Sequence, residues 1–248
     1  MLLKLIKHEL ISSYRKYLPI YAVVIIMSIL SPATYRSSLL SLYGLASSAL
    51  MLIIGAMGVY TIYNLILSLG LRVYGNPGYL LFSLPVKTRD IMISKAIVNA
   101  IWIICSGAFG LLAFSIFLNR FIGIDALDLI RELFSVLFQN DVMFGIIYIV
   151  FGFVYIFYII AFLMFILALL NLIYKGEHKI LTGIILYFVM STVISFISVT
   201  IFGSLFGVTS TGLIQSYDML WVMLYYLIIT ITLFLVTHYM MDKKLDLQ

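Results

Sequence analysis

Six long apolar stretches occupy most of this chain, and they leave few folds open to it. They run from Leu18 to Leu30, Leu39 to Leu71, Ile91 to Leu118, Val142 to Tyr174, Ile180 to Phe206 and Met219 to Met240. Bilayer hydrocarbon is roughly 30 Å thick and is crossed by about 20 mostly apolar helical residues, so the pattern predicts an all-α, polytopic membrane protein with six transmembrane helices. Hydrophobic residues make up 64% of the 248 and charged ones only 10%, more oil than a soluble core of this length needs. The spans consume nearly the whole sequence, so residues 1–248 read as a single integral membrane domain with no segment left for an independent aqueous one.

An even number of spans places both termini on one side, and the basic residues say which. Of the 15 Lys and Arg, all but Arg36, Arg120 and Arg131 fall on the side of the termini, Lys95 among them, whereas Asp125, Asp128, Glu132, Asp141 and Asp218 gather on the other. The positive-inside rule makes that terminal side cytoplasmic. The basic pI of about 9.2 then reflects topology and a surface suited to anionic membrane lipids, and no nucleic-acid partner is expected. Cys105, the only cysteine, lies inside an apolar stretch and excludes an intrachain disulfide or a CxxC motif.

Residues 1–17 carry Leu3, Ile6, Leu10 and Tyr14 at three- and four-residue spacing, with Lys4, Lys7, His8, Ser12 and Arg15 around the rest of the helix. This fits an amphipathic helix lying in the membrane interface, either as an anchor or also touching a cytoplasmic partner. No cleaved signal peptide is expected. Pro19 suits the first turn of the first span and Pro32 its far end.

The most patterned segment is the loop between the second and third spans, residues 72–95, RVYGNPGYLLFSLPVKTRDIMISK. Asn76 can cap a helix, Pro77 favours its first position and Pro85 disfavours continuation past Leu84, so a short helix over 77–83 is predicted. Thr88 reads as the cap of the next helix, with Asp90 in its first turn. Tyr79, Leu80, Leu81, Phe82 and Leu84 are too apolar for an exposed loop. They either fold back onto their own bundle or the lipid, or insert into a groove on a separate protein.

The string GNPGYLLFSLPVKTRDIMISKAIVNAIW resembles the corresponding loop in permease subunits of ATP-binding-cassette exporters of the ABC-2 type, especially those of Gram-positive bacteria. The tail HYMMDKKLDLQ, the basic amphipathic start and the six spans are similar too, so the likeness covers essentially the whole chain, its specific part being the loop and tail. The resemblance implies a type V ABC exporter-like permease domain whose 72–95 loop holds a coupling helix docked on a nucleotide-binding subunit. Position by position it assigns that contact to Asn76, Pro77, Gly78, Tyr79, Leu80, Leu81, Phe82, Ser83, Leu84 and Pro85, with Lys87 and Arg89 at the rim. Apolar anchors framed by charge are also what a docking patch needs physically. The family works as two permease chains, identical or closely related, with two ATPase subunits that hold ATP and Mg.

The chain itself has no GxxxxGK[ST] loop, no Gly-rich strand-to-helix fingerprint, no HExxH and no GxSxG, so neither ATP hydrolysis nor a cofactor, metal or catalytic group is expected in it. Its histidines, His8, His178 and His238, read as structural or interfacial. Charges are scarce at span centres, which argues against an ion-coupled transporter. The milder polar groups there, Asn64, Ser68, Asn99, Ser106, Asn171, Ser191, Thr192, Ser195, Ser198 and Thr200, mostly suit helix-to-helix hydrogen bonds. Ser191, Ser195 and Ser198 recur at helical spacing, and with Asn64 they are the candidate lining of a translocation path.

Small residues mark places where helices can approach: Gly44 with Ser48, Gly55 with Gly58, Ser106 with Gly110, and Gly203 with Gly207. The stretch 203–219 suits either a re-entrant turn, which the family places there, or a simple loop. The outer loop 119–141 reads as an amphipathic surface helix, in contact with lipid or else with substrate or a neighbouring subunit. Few fixed charges and many Tyr and Phe favour an amphipathic or lipid-like cargo, with peptides first and hydrophobic compounds second. Export of lipid or polysaccharide, and a membrane scaffold or assembly role without transport, are the alternative readings, with an intramembrane enzyme a third.

Overall fold

The computed structural model describes residues 2–33, 40–70, 73, 87–122, 126–138, 142–173, 179–206 and 216–243. Every regular element among them is an α-helix: α1 (Leu2–Ala33), α2 (Leu40–Leu69), α3 (Thr88–Ile122), α4 (Ala126–Phe138), α5 (Val142–Ile173), α6 (Lys179–Phe206) and α7 (Ser216–Lys243). All but α4 are long and apolar enough to cross a bilayer, with 6 such spans. This is the make-up of a multi-pass membrane protein, in which each helix satisfies its own backbone polar groups.

The first span differs from expectation. The break expected between an interfacial helix at 1–17 and a span beginning at Leu18 is absent: α1 runs unbroken through Pro19. A proline there withholds one N–H and crowds the carbonyls of the preceding turn. Tyr60 on α2 offers its hydroxyl to one of them, the Lys16 carbonyl, at 3.4 Å. Tyr17, Tyr21 and Val24, on both sides of the proline, are all buried in one core. Packing on each side thus holds one continuous helix where the proline reads locally as the first turn of a new one.

The chain divides into two compact units, residues 1–68 with 90–140 and residues 69–89 with 141–248. In the first, Tyr17, Tyr21 and Val24 of α1 meet Met57 of α2 and Ala113 of α3, with Trp102, Cys105 and Phe109 packed around them. Tyr17 stacks on Trp102 at 4.3 Å between centroids, and Tyr21 on Phe109 at 4.4 Å. Residue numbers rise together across the α1–α3 contacts, so these two helices run parallel. They fall on α2 as they rise on α3, which makes α2 antiparallel to both: Ser68 pairs with Asn99, Thr61 with Ser106. A Cβ on Gly110 of α3 would stand 3.4 Å from the flexible Met57 Cε of α2, an ordinary contact, and one on Gly55 or Gly58 would meet nothing within 4 Å.

The α4 helix is the amphipathic element expected in the outer loop. Asp128 in its first turn complements the helix dipole, and Ile130 and Phe134, one turn apart, are both exposed. Phe134 and Phe138 stack along one side.

In the second unit α5 packs along α7 and on α6. Phe151, Tyr155, Tyr158 and Phe162 recur at helical spacing on α5, and the Tyr226 ring of α7 stands edge-on to the first three at 5.7, 5.6 and 4.9 Å. Edge-to-face geometry is the arrangement that ring quadrupoles favour. Gly183 lets α6 approach, since a Cβ there would lie 3.2 Å from Leu170 Cδ2. The apolar window of α6 is otherwise 0% buried, as befits a helix whose solvent is lipid.

The mid-span hydroxyls of the first unit form an ordered chain. Thr61 Oγ1 gives its single proton to the Met57 carbonyl at 2.8 Å, so Ser106 must donate to Thr61 at 2.9 Å and Tyr21 to Ser106 at 2.8 Å. Ser106→Ala removes both links. The expected loss is about 1 kcal/mol, the scale of interhelical hydrogen bonds in membranes, measured by reversible unfolding in micelles; adding Tyr21→Phe to that background should cost little more.

Candidate functional site

The short helix expected over 77–83 and the docking residues Asn76, Pro77, Gly78, Tyr79, Leu80, Leu81, Phe82, Ser83, Leu84 and Pro85 lie outside the described residues, as does 207–215 within the stretch expected to be re-entrant or a simple loop. The flanks of the 72–95 segment are described. Val73 donates its backbone N–H to the Gly70 carbonyl at 3.0 Å, a turn that closes the α2 side. On the other side α3 starts at Thr88 with Asp90 in its first turn, as the capping pattern predicts, and the rim residues Lys87 and Arg89 are exposed.

Inward from that end, α3 presents Lys95, Asn99, Trp102 and Ser106 at steps of four, three and four residues, one face of the helix. Asn99 donates to the Lys95 carbonyl at 2.8 Å and to Ser68 Oγ of α2 at 3.3 Å. The Trp102 indole N–H is buried without a hydrogen-bond partner among the described residues, its ring direction fixed by the stack on Tyr17. Ser106 closes the row with the hydroxyl chain to Tyr21 and Thr61. This polar seam runs through the interior of the first unit, between α1, α2 and α3.

The seam begins at an ion pair. Lys95 Nζ lies 2.5 Å from Glu9 Oε1, and the two side chains are only 4% and 15% exposed. Lys95 is therefore not exposed, contrary to what its place beside the loop implies. It is buried inside α3, and α1 supplies its counter-charge. Withdrawing either charge from water costs several kcal/mol, repaid only when the partner is present and well placed. Ser13 donates to the Glu9 carbonyl at 2.7 Å, pinning the α1 backbone one turn on.

Sequence reasoning missed Glu9. Its signal was present: Glu9 is the sole acidic residue of the first 17, on a helix that otherwise carries only positive charge. Lys95 was likewise in register with Asn99, Trp102 and Ser106, a spacing that puts a charge on the same face as three polar groups.

The candidate path residues divide between the units. Asn64, in the first, is buried and donates to its own helix at the Tyr60 carbonyl, 3.1 Å away. Ser191, Ser195 and Ser198 belong to the second, where Ser195 is exposed and the other two half-buried. Ser198 faces α7, its hydroxyl 2.9 Å from that of Tyr225 and bonded to the Ile194 carbonyl at 2.7 Å. Near the end of α7, His238 Nδ1 lies 3.0 Å from Asp242 Oδ2, one turn away and partly exposed.

Comparisons with protein-family models, with curated proteins and with solved structures give no match.

The ion pair makes a sharp thermodynamic prediction. Glu9→Gln strands a buried ammonium and should destabilise the protein by about 3–5 kcal/mol. Replacing both, Glu9→Leu with Lys95→Met, should cost far less than either charge-stranding single change. Unfolding in micelles across this double-mutant cycle checks it, and additive losses would rule out a buried pair.

Proposed function

We infer that this chain is the transmembrane permease subunit of an ATP-driven exporter of the ABC-2 type, in the bacterial cell membrane with both termini cytoplasmic. Two such chains, identical or paralogous, work with two ATPase subunits that carry ATP and Mg. The cargo is an amphipathic peptide or hydrophobic compound. The observation that carries this reading is the 72–95 segment: a run of apolar residues between two spans, framed by Lys87 and Arg89, with a sequence resembling the coupling loop of those permeases.

The architecture agrees with such a role at a coarser level. Six apolar helices supply the membrane part, and the segment is bounded by a closed turn at Gly70–Val73 and by the start of α3. Push on the segment is therefore delivered directly to two spans. Few fixed charges in the spans suit a cargo that is largely apolar. In outline, closure of the ATPase pair shifts the segment, tilts α2 and α3, and exchanges inward- and outward-open states.

Replacing Tyr79 and Phe82 together by alanine tests the docking. The tagged wild-type chain should co-purify with an ATPase subunit, and its ATP hydrolysis in liposomes should respond to amphipathic peptides. The double variant should fold and reach the membrane yet lose more than tenfold of the co-purified ATPase, because anchor residues carry most of an interface's energy. Undiminished assembly and hydrolysis would reject the docking assignment. Assembly without any cargo-dependent hydrolysis would favour a static scaffold.

A further inference from the structure

The contacts between α1 and α3 form a parallel series: Glu9 with Lys95, Tyr17 with Trp102, Tyr21 with Ser106 and Phe109. Only the first is ionic. It is also the contact nearest the start of α3 at Thr88, Lys95 standing about two helical turns past it and Glu9 about two turns past Leu2. Aromatic stacks and hydroxyl bonds slide at small cost, because dispersion is undirected and a hydroxyl can rotate to a new acceptor. A buried ion pair cannot: any separation leaves two charges in apolar surroundings. Both residues have their backbones tied as well, through Asn99 at Lys95 and Ser13 at Glu9.

We propose that Glu9 and Lys95 are positioning residues, a clasp that makes α1 and α3 move as one body, so that displacement of the 72–87 segment reaches the N-terminal helix as well as the span it enters. This rests on the exporter reading above, because that reading supplies the displacement. It gives the first residues of the chain a part in transmission: α1 becomes an arm of the coupling apparatus, and the polar seam behind the clasp carries its rotation towards Tyr21, Ser106 and Thr61.

The test uses the full chain with its co-purified ATPase subunit in nanodiscs, in a Cys105→Ala background. Spin labels are placed at Leu3 and Ile104, which are 80% and 39% exposed on α1 and α3, and in a separate sample at exposed Lys87. With the clasp intact, the Leu3–Ile104 distance should be the same in the nucleotide-free and ATP-trapped states, while the Lys87 label changes its mobility. In Glu9→Gln the distance should broaden and shift on ATP trapping by about 2 Å or more, the scale of helix displacements in switching proteins. The exchanged pair, Glu9→Lys with Lys95→Glu, should restore the constant distance. If Glu9→Gln does not fold, Glu9→Asp, which keeps the charge on a shorter arm, takes its place.

A shift in the intact protein, or none in the variant while Lys87 responds, overturns the clasp and leaves the exporter reading standing. A Lys87 label indifferent to both ATPase and nucleotide overturns that reading and the clasp with it.

Discussion

A polar atom in hydrocarbon has no water to turn to, and the first unit of this protein is organised around that constraint. The cost of leaving a group unpaired is large and the net value of pairing it is small, so the seam between α1, α2 and α3 specifies the arrangement more than it stabilises it. Lys95 can lie inside α3 only where Glu9 meets it. Ser106 serves Tyr21 and Thr61 at once because each hydroxyl has a single proton and two acceptor sites. A register shift of one turn between any two of the three helices would strand several of these groups together.

The same constraint explains how α1 survives its proline. Pro19 withholds the N–H that the Arg15 carbonyl would accept, and one residue on, the Lys16 carbonyl receives the Tyr60 hydroxyl from α2. The outcome is an uninterrupted rod from Leu2 to Ala33, and its length is what brings Glu9 to Lys95.

The second unit is built on a different principle. The interior of α5 against α7 is a ladder of Phe and Tyr rings meeting edge to face, and a polar link from α6 to α7 is the Ser198–Tyr225 pair. Such packing tolerates small displacements better than the Glu9–Lys95 pair does, because many weak undirected contacts replace one that cannot be opened without stranding charge.

The six spans, the start of α3 at Thr88 and the amphipathic α4 were legible in the sequence, because apolar length, a capping pattern and three- and four-residue periodicity are local properties. Pro19 was misleading for the same reason: its local meaning is the first turn of a new helix, and only packing on both sides of it joins that helix to the residues before it. Gly55, Gly58 and Gly110 all read in the sequence as points of close helix approach, yet a Cβ on any of them would meet ordinary contacts or nothing within 4 Å. Lys95 read as one more basic residue at a membrane edge, since a charge beside a loop is normally solvated. Its burial depends on Glu9, 86 positions away along the chain. What the sequence by itself determined is which segments must be helical and shielded from water; which helix faces which, and hence which charges and hydroxyls are paired, was decided by tertiary packing, where groups remote in sequence supply the partners that the bilayer does not.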